Sequence, residues 1–266
     1  MTEILKAALF GIVEGVTEWL PVSSTGHLIL LDALVPLELS RDFDSFFEVA
    51  VQLGAVAAVA VLFSRRLNPL DPSNLRLWGL VLAAVLPSGA VGALTDDWME
   101  ENLHRPAVVG VCLIAYGVFF LLAERRRTPP RITRAEDTDL STALGIGLFQ
   151  CLSLVPGTSR SGATVLGGLL LGASRTAAAE FSFLMALPTM LGACLFRGGK
   201  LVLAGTVFTG TETAALLTGC AVSFSVSLLV IRALLDYVRT HTFAPFARYR
   251  MALGAAVLLA RLTGRI

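Results

Sequence analysis

Charge is what this sequence has least of. Only 15% of its 266 residues are Asp, Glu, Lys or Arg, against about 25% in a typical soluble domain. With 55% of the chain hydrophobic, too little polar surface remains to coat a water-soluble globule. A membrane protein is predicted. The net charge of +1, with its basic residues in short loops rather than on one face, gives no sign of a nucleic-acid surface. Cysteine is scarce too. Cys112, Cys151, Cys194 and Cys220 lie far apart in apolar stretches with no C-x-x-C pair. That excludes a disulfide framework or a thiolate metal site and leaves four small buried hydrophobes. After Met1-Thr2-Glu3 there is no basic region leading to a small-residue cleavage site, so no removable signal peptide is expected.

What the chain has instead is long apolar runs. A membrane-spanning helix needs about 20 mainly apolar residues. Six segments qualify: Phe46–Phe63, Leu77–Leu94, Ala107–Ala123, Phe181–Phe196, Thr213–Ile231 and Ala244–Leu259. Pro87 and Pro188 interrupt two of them, which membrane helices tolerate when neighbours satisfy the freed carbonyls. Two further runs, Ile4–Leu31 and Leu140–Leu171, are broken midway by Pro21-Val-Ser-Ser-Thr-Gly-His27 and by Pro156-Gly-Thr-Ser-Arg-Ser-Gly162. Each apolar half is too short to span, so both runs read as re-entrant hairpins. Irregular backbone at membrane depth must be buried in protein or line a wet cavity. Two hydroxyl-rich breaks therefore predict a polar site between them.

The breaks also mark an internal repeat. Gly11-Ile-Val-Glu14-Gly precedes the first and Gly147-Leu-Phe-Gln150-Cys the second, and Glu48 and Glu180 follow in the next apolar segments. Each half holds one hairpin and three spans, an odd number, so the second half must be inverted relative to the first. The predicted fold is all-α and integral to the membrane: six transmembrane helices plus two re-entrant hairpins in two inverted-topology repeats. Repeat one covers about 1–123, a linker 124–140, and repeat two about 141–266. Arg65, Arg66 and Arg76 in one loop, and Arg125, Arg126, Arg127, Arg131 and Arg134 in the linker, place both loops in the cytoplasm. The loop with Asp96, Asp97, Glu100 and Glu101 then lies outside, as do both termini, although Arg261 and Arg265 argue against the C-terminus. The first hairpin enters from the outer face and the second from the cytoplasm.

Glu14 and Glu18 stand one helical turn apart, on one face. Two acids at membrane depth are costly, and their repulsion would be relieved by a divalent cation held by both, Mg2+ or Ca2+. The other reading is a helix lying shallowly in the interface with both acids in water. His27 follows three hydroxyls, Ser23, Ser24 and Thr25; it suits a general acid or base, and Ser24 a nucleophile. Alternatively the hydroxyls only cap the next helix. Arg160 opens the helix after the second break among Gly157, Ser159, Ser161 and Thr164. A helix N-terminus with an arginine fork is a phosphate site. Arg160 paired with Glu14, Glu18 or Glu180 is the alternative, and it is compatible with phosphate binding. Carboxylates, a cation, a histidine, hydroxyls and an arginine together describe phosphoryl transfer, with a substrate arriving through the lipid.

The stretch Glu14-Gly-Val-Thr-Glu-Trp-Leu-Pro-Val-Ser-Ser-Thr-Gly-His27 closely resembles the first signature of bacterial undecaprenyl-diphosphate phosphatases of the bacitracin-resistance type. Pro156-Gly-Thr-Ser-Arg-Ser-Gly-Ala-Thr164 resembles their second. The likeness continues through Phe47-Glu48, Glu180-Phe-Ser-Phe and Phe243-Ala-Pro-Phe-Ala-Arg-Tyr-Arg250. It implies hydrolysis of undecaprenyl diphosphate to the monophosphate carrier of peptidoglycan precursors, in the inner membrane. It also implies that Glu14 and Glu18 hold the cation and that Ser24 or His27 is nucleophile or base. Arg160, Ser23, Thr25, Gly157, Ser159, Ser161 and Thr164 would then surround the substrate, in a site opening toward the periplasmic face. A type-2 phosphatidic acid phosphatase is excluded, because Leu166 stands where that family needs a histidine. A polyprenyl-phosphate transporter is the alternative from another class. The expected partners are the polyprenyl diphosphate and membrane lipids, no nucleic acid, with a homodimer left open.

Overall fold

The computed structural model describes residues 2–68, 70–103, 105–125 and 129–264. The sequence readings that rested on Arg126, Arg127, Arg265 and the side chain of Glu100 lie outside what is described. Among the described residues the chain forms ten α-helices and no strand; one isolated bridge joins Ile132 to Ala173.

The helices are α1 Glu3–Thr17, α2 Ser24–Leu34, α3 Arg41–Leu62, α4 Pro72–Leu103, α5 Pro106–Glu124, α6 Leu140–Leu152, α7 Arg160–Leu170, α8 Arg175–Leu203, α9 Gly210–Val238 and α10 Ala244–Leu262. Each anticipated span falls inside one of them, except that Phe63 is the C-cap of α3 rather than part of it, and the helices run longer at ends set by local caps. Ser40 and Ser174 accept from the backbone N–H three residues on, Pro106 opens α5, and Thr209 with Glu212 closes a capping box on α9. Pro87 and Pro188 sit inside α4 and α8. Five helices, α3, α4, α5, α8 and α9, are long and apolar enough to cross a membrane. The sixth candidate, α10, has the length but carries Arg248, Arg250 and Arg261.

The two broken runs are hairpins. At the mouth of the first, Lys6 Nζ donates to the Pro36 carbonyl at 2.7 Å and the Glu38 N–H to the Glu3 carboxylate at 2.9 Å, so the chain returns beside its start. At the mouth of the second, the Arg131 N–H donates to the Gly172 carbonyl at 2.8 Å and the Ser174 N–H to the Ile132 carbonyl at 2.7 Å. The tips share a conformation. Ser23 and Ser159 are the only non-glycine residues with positive φ among those described, at 71° and 75°, and each immediately precedes a helix.

Small residues let these helices pack backbone to backbone, as membrane interiors favour. A Cβ on Gly11 would stand 2.5 Å from the Gly219 carbonyl oxygen, so α1 lies directly on α9. The corresponding contact in the other half is α6 on α4, where a Cβ on Gly147 would stand 2.1 Å from the Ala84 oxygen. Large apolar side chains such as Leu94, Leu122, Leu195, Leu217 and Leu229 point outward. Two groups of ion pairs join segments far apart in the sequence. Arg66 bonds Glu136 and Glu180, and Arg175 bonds Glu124; separately, Arg197 and Lys200 bond Asp96, and Lys200 also bonds Asp97. All four cysteines are free.

Candidate active site

Glu14 lies in the last turn of α1, and Glu18 continues it, its N–H still donating to the Glu14 carbonyl at 3.0 Å. Both side chains are buried. The Glu18 carboxylate joins the two hairpin tips: one oxygen accepts from Arg160 Nη2 at 2.9 Å, the other from Ser24 Oγ at 3.0 Å. Glu14, 0% exposed, has no hydrogen-bond partner on either oxygen among the described residues. Glu18, Glu48 on α3 and Arg160 lie within its electrostatic reach.

Arg160 is placed by several elements at once. Its Nη1 donates to the Ser182 carbonyl of α8 at 2.8 Å and more weakly to Ser182 Oγ, and its guanidinium lies 5.7 Å over the Trp19 ring. Of the pairings open in the sequence, the one formed is with Glu18. Glu180 is taken by Arg66 instead. Ser161 Oγ donates to the Glu18 carbonyl at 2.8 Å, which knits the second tip to the first. Thr164 Oγ1 bonds Ser182 Oγ at 2.6 Å and the Arg160 carbonyl at 2.9 Å, and Ser159 Oγ accepts from the Gly162 N–H. Gly157 adopts φ +89°, packs against the α5 backbone at Val109, and turns its carbonyl to Arg250. Ser23 is buried with its Oγ unpaired among the described residues, and Thr25 is half-buried in the first turn of α2.

His27 faces another way. Its Nδ1 meets the Ser23 carbonyl at 2.7 Å, an acceptor only, so Nδ1 carries the proton. Nε2 is then left to accept from the Tyr249 hydroxyl at 2.8 Å, and the two rings stack. The side chain that Ser24 bonds is therefore Glu18, not His27.

Four residues of the site were not assigned a role from sequence. Ser182 and Tyr249 stood inside the stretches Glu180-Phe-Ser-Phe and Phe243–Arg250 that carry the family likeness, but nothing in the sequence gave either a role. Trp19 stood inside the first motif. Arg250 did carry one: a buried arginine in a span is functional until shown otherwise. It is fully buried and donates to the carbonyls of Pro21, Gly157, Thr158 and Leu113 at 2.8–3.2 Å, so it holds both tips to α5.

Unpaired buried carboxylate oxygens with hydroxyls nearby suit a hard cation of the Mg2+ or Ca2+ kind. No group of three His, Cys, Asp or Glu side chains could hold a metal among the described residues. A Mg2+ that keeps one or two carboxylates and takes its remaining oxygens from phosphate and water fits such a site. A cavity of about 410 Å³ opens elsewhere, between α4, α6 and α8, and none of Glu14, Glu18, Ser24, His27 or Arg160 lines it.

The family model described as bacitracin resistance protein BacA matches residues 7–256. An undecaprenyl-diphosphatase of Lacticaseibacillus casei is 48% identical over 268 residues, covering 97% of this chain and 98% of the relative. An undecaprenyl-diphosphatase of Enterococcus faecalis is 47% identical over 269 residues, with 97% and 96% covered. One from Streptococcus thermophilus is 46% identical over 266 residues, with 96% and 92% covered.

Proposed function

The chain belongs to the bacitracin resistance protein BacA family, and we propose from that premise how its two hairpin tips hydrolyse undecaprenyl diphosphate. The reaction gives undecaprenyl phosphate and inorganic phosphate, which recycles the lipid carrier. The observation that carries the mechanism is the Glu18 carboxylate, which bonds Ser24 from one tip and Arg160 from the other.

Arg160 binds the terminal phosphate. Its fork offers two parallel N–H groups, and charge-assisted bonds to phosphate are roughly twice as strong as neutral ones. Ser24 Oγ attacks the terminal phosphorus while its proton passes to Glu18. The bridging P–O bond breaks, and its electron pair leaves on undecaprenyl phosphate. Glu18 passes that proton to the leaving undecaprenyl phosphate. Water then attacks the phosphoserine, giving its proton to Glu18, and the P–Oγ bond breaks as Glu18 returns the proton to Ser24 and phosphate leaves. Glu14, with Glu18, would hold the divalent cation, which supplies neutralisation of the phosphate oxygens when bound. The Ser23 carbonyl and the Tyr249 hydroxyl fix the His27 ring from either side, Nδ1–H donating to the first and Nε2 accepting from the second.

The arrangement in the bilayer is part of the same reading. Six spans, with α10 as the sixth, and two re-entrant hairpins related as inverted repeats place the site between the tips, open to the outer face of the inner membrane. Support comes from the shared positive-φ serine at both tips and from the paired contacts α1 on α9 and α6 on α4. Phosphate release from undecaprenyl diphosphate by the purified protein in detergent tests the reaction. Release abolished by Glu18→Gln is expected; a protein that moves the lipid without releasing phosphate would be a carrier.

A further inference from the structure

We propose that Ser223 belongs to this site, its hydroxyl serving as a neutral oxygen ligand beside Glu14 for the divalent cation. The inference rests on the reading that Glu14 holds that cation.

The internal repeat supplies the comparison. Gly11 meets Gly219 across the α1–α9 contact, and Gly147 meets Ala84 across the α6–α4 contact. One turn further along, Glu14 and Ser223 stand in the first pair of helices where Gln150 and Ser88 stand in the second. In the second half the two side chains bond directly, Gln150 Nε2 to Ser88 Oγ at 2.5 Å, with Thr189 as a second partner at 3.2 Å. In the first half nothing closes the gap. Glu14 Oε1, Glu14 Oε2 and Ser223 Oγ all lack a hydrogen-bond partner among the described residues, and both residues are 0% exposed.

Ser223 does face α1. A Cβ on Gly15 would stand 2.8 Å from the Ser223 carbonyl oxygen, and one turn on, Ser227 Oγ donates to the Gly15 carbonyl at 3.3 Å. An unsatisfied buried polar atom costs about 1–3 kcal/mol, more for a charged group. The sister crossing bonds its two side chains to each other and leaves only Gln150 Oε1 unpaired among the described residues. Three together at this crossing describe a seat for something that accepts oxygen lone pairs. Glutamate supplies charge where glutamine does not. A carboxylate and a hydroxyl are hard donors, so the class of ligand is a divalent cation of the Mg2+ or Ca2+ kind.

The test uses the full chain in detergent, with Mg2+, Mn2+ and Cd2+ as probes. Loss of a ligand or its support typically weakens metal binding 10–100-fold. Ser223→Ala should therefore raise the half-saturating Mg2+ for phosphate release about tenfold, and should shrink the Mg2+-induced rise in Tm. Ser223→Cys replaces a hard oxygen by a soft sulfur, so its affinity should turn from Mg2+ toward Cd2+ relative to the wild-type chain. That second variant also decides the matter if Ser223→Ala proves too unstable to assay. Unchanged half-saturation in Ser223→Ala, or a Ser223→Cys chain with wild-type cation preference, overturns the assignment and leaves Ser223 as packing. A wild-type chain whose Tm and turnover ignore all three cations overturns the Glu14 cation reading itself.

Discussion

At the level of single residues, Glu18 and Arg160 are matched by geometry rather than by nearness in sequence. The Arg160 guanidinium meets Glu18 with one nitrogen and Ser182 with the other, while Trp19 lies beneath it. A planar fork can serve both partners and still present an edge to phosphate; an ammonium cannot. Arg160→Ala should lower kcat/KM about 10²–10³-fold, the usual loss when one transition-state donor is removed. Arg160→Lys should lose less, keeping the charge without the fork. Turnover measured side by side for the two variants checks this, and equal losses would mean that charge plays no part.

At the level of helices and hairpins, the crossings and the caps decide. Gly147 allows α6 to touch the α4 backbone, and the Ala84 oxygen would lie inside a Cβ placed there. Gly147→Ala must push the helices apart, and overpacking of this sort costs about 1–3 kcal/mol. A lowered Tm in detergent is the expected readout; Gly89→Ala is the control, since no atom lies within 4 Å of a Cβ there. Asp139 begins the second hairpin. Its carboxyl accepts from the Thr142 N–H at 2.7 Å and the Ser141 hydroxyl at 2.8 Å, and these bonds hold it down to about 2. The sign follows from the depressed value. The cap contributes fully above about pH 4, where the unfolded carboxyl is ionised, and its contribution fades as pH falls toward about 2. The Tm gap between wild type and Asp139→Ala should therefore narrow below about pH 4. A gap that widens there would contradict the cap.

For the whole molecule, two groups of ion pairs lie at helix ends that alternate along the chain, and the positive-inside rule predicts a cytoplasmic side for the arginine-rich one. Cysteines introduced at Asp97 and Arg134 test the orientation: an impermeant thiol reagent on intact cells should label position 97 and spare position 134. The reverse pattern would turn the molecule over. Much of the helical fold was legible in sequence, for a reason of length scale. Hydropathy over about 20 residues fixes spans, Pro and Gly clusters fix breaks, and helical periodicity put Glu14 and Glu18 on one face. Those are local properties. What only the tertiary structure decided depends on which side chains the folded hairpin tips and helices bring together. Glu18 chose Arg160 over Glu180's claim on it, Ser24 turned to Glu18 and His27 to Tyr249, and Arg250 reached both tips from α10. A side chain's partner is set by which backbones approach closely enough to share it, and the packing of α1 on α9, α6 on α4 and α10 on α5 fixes that approach.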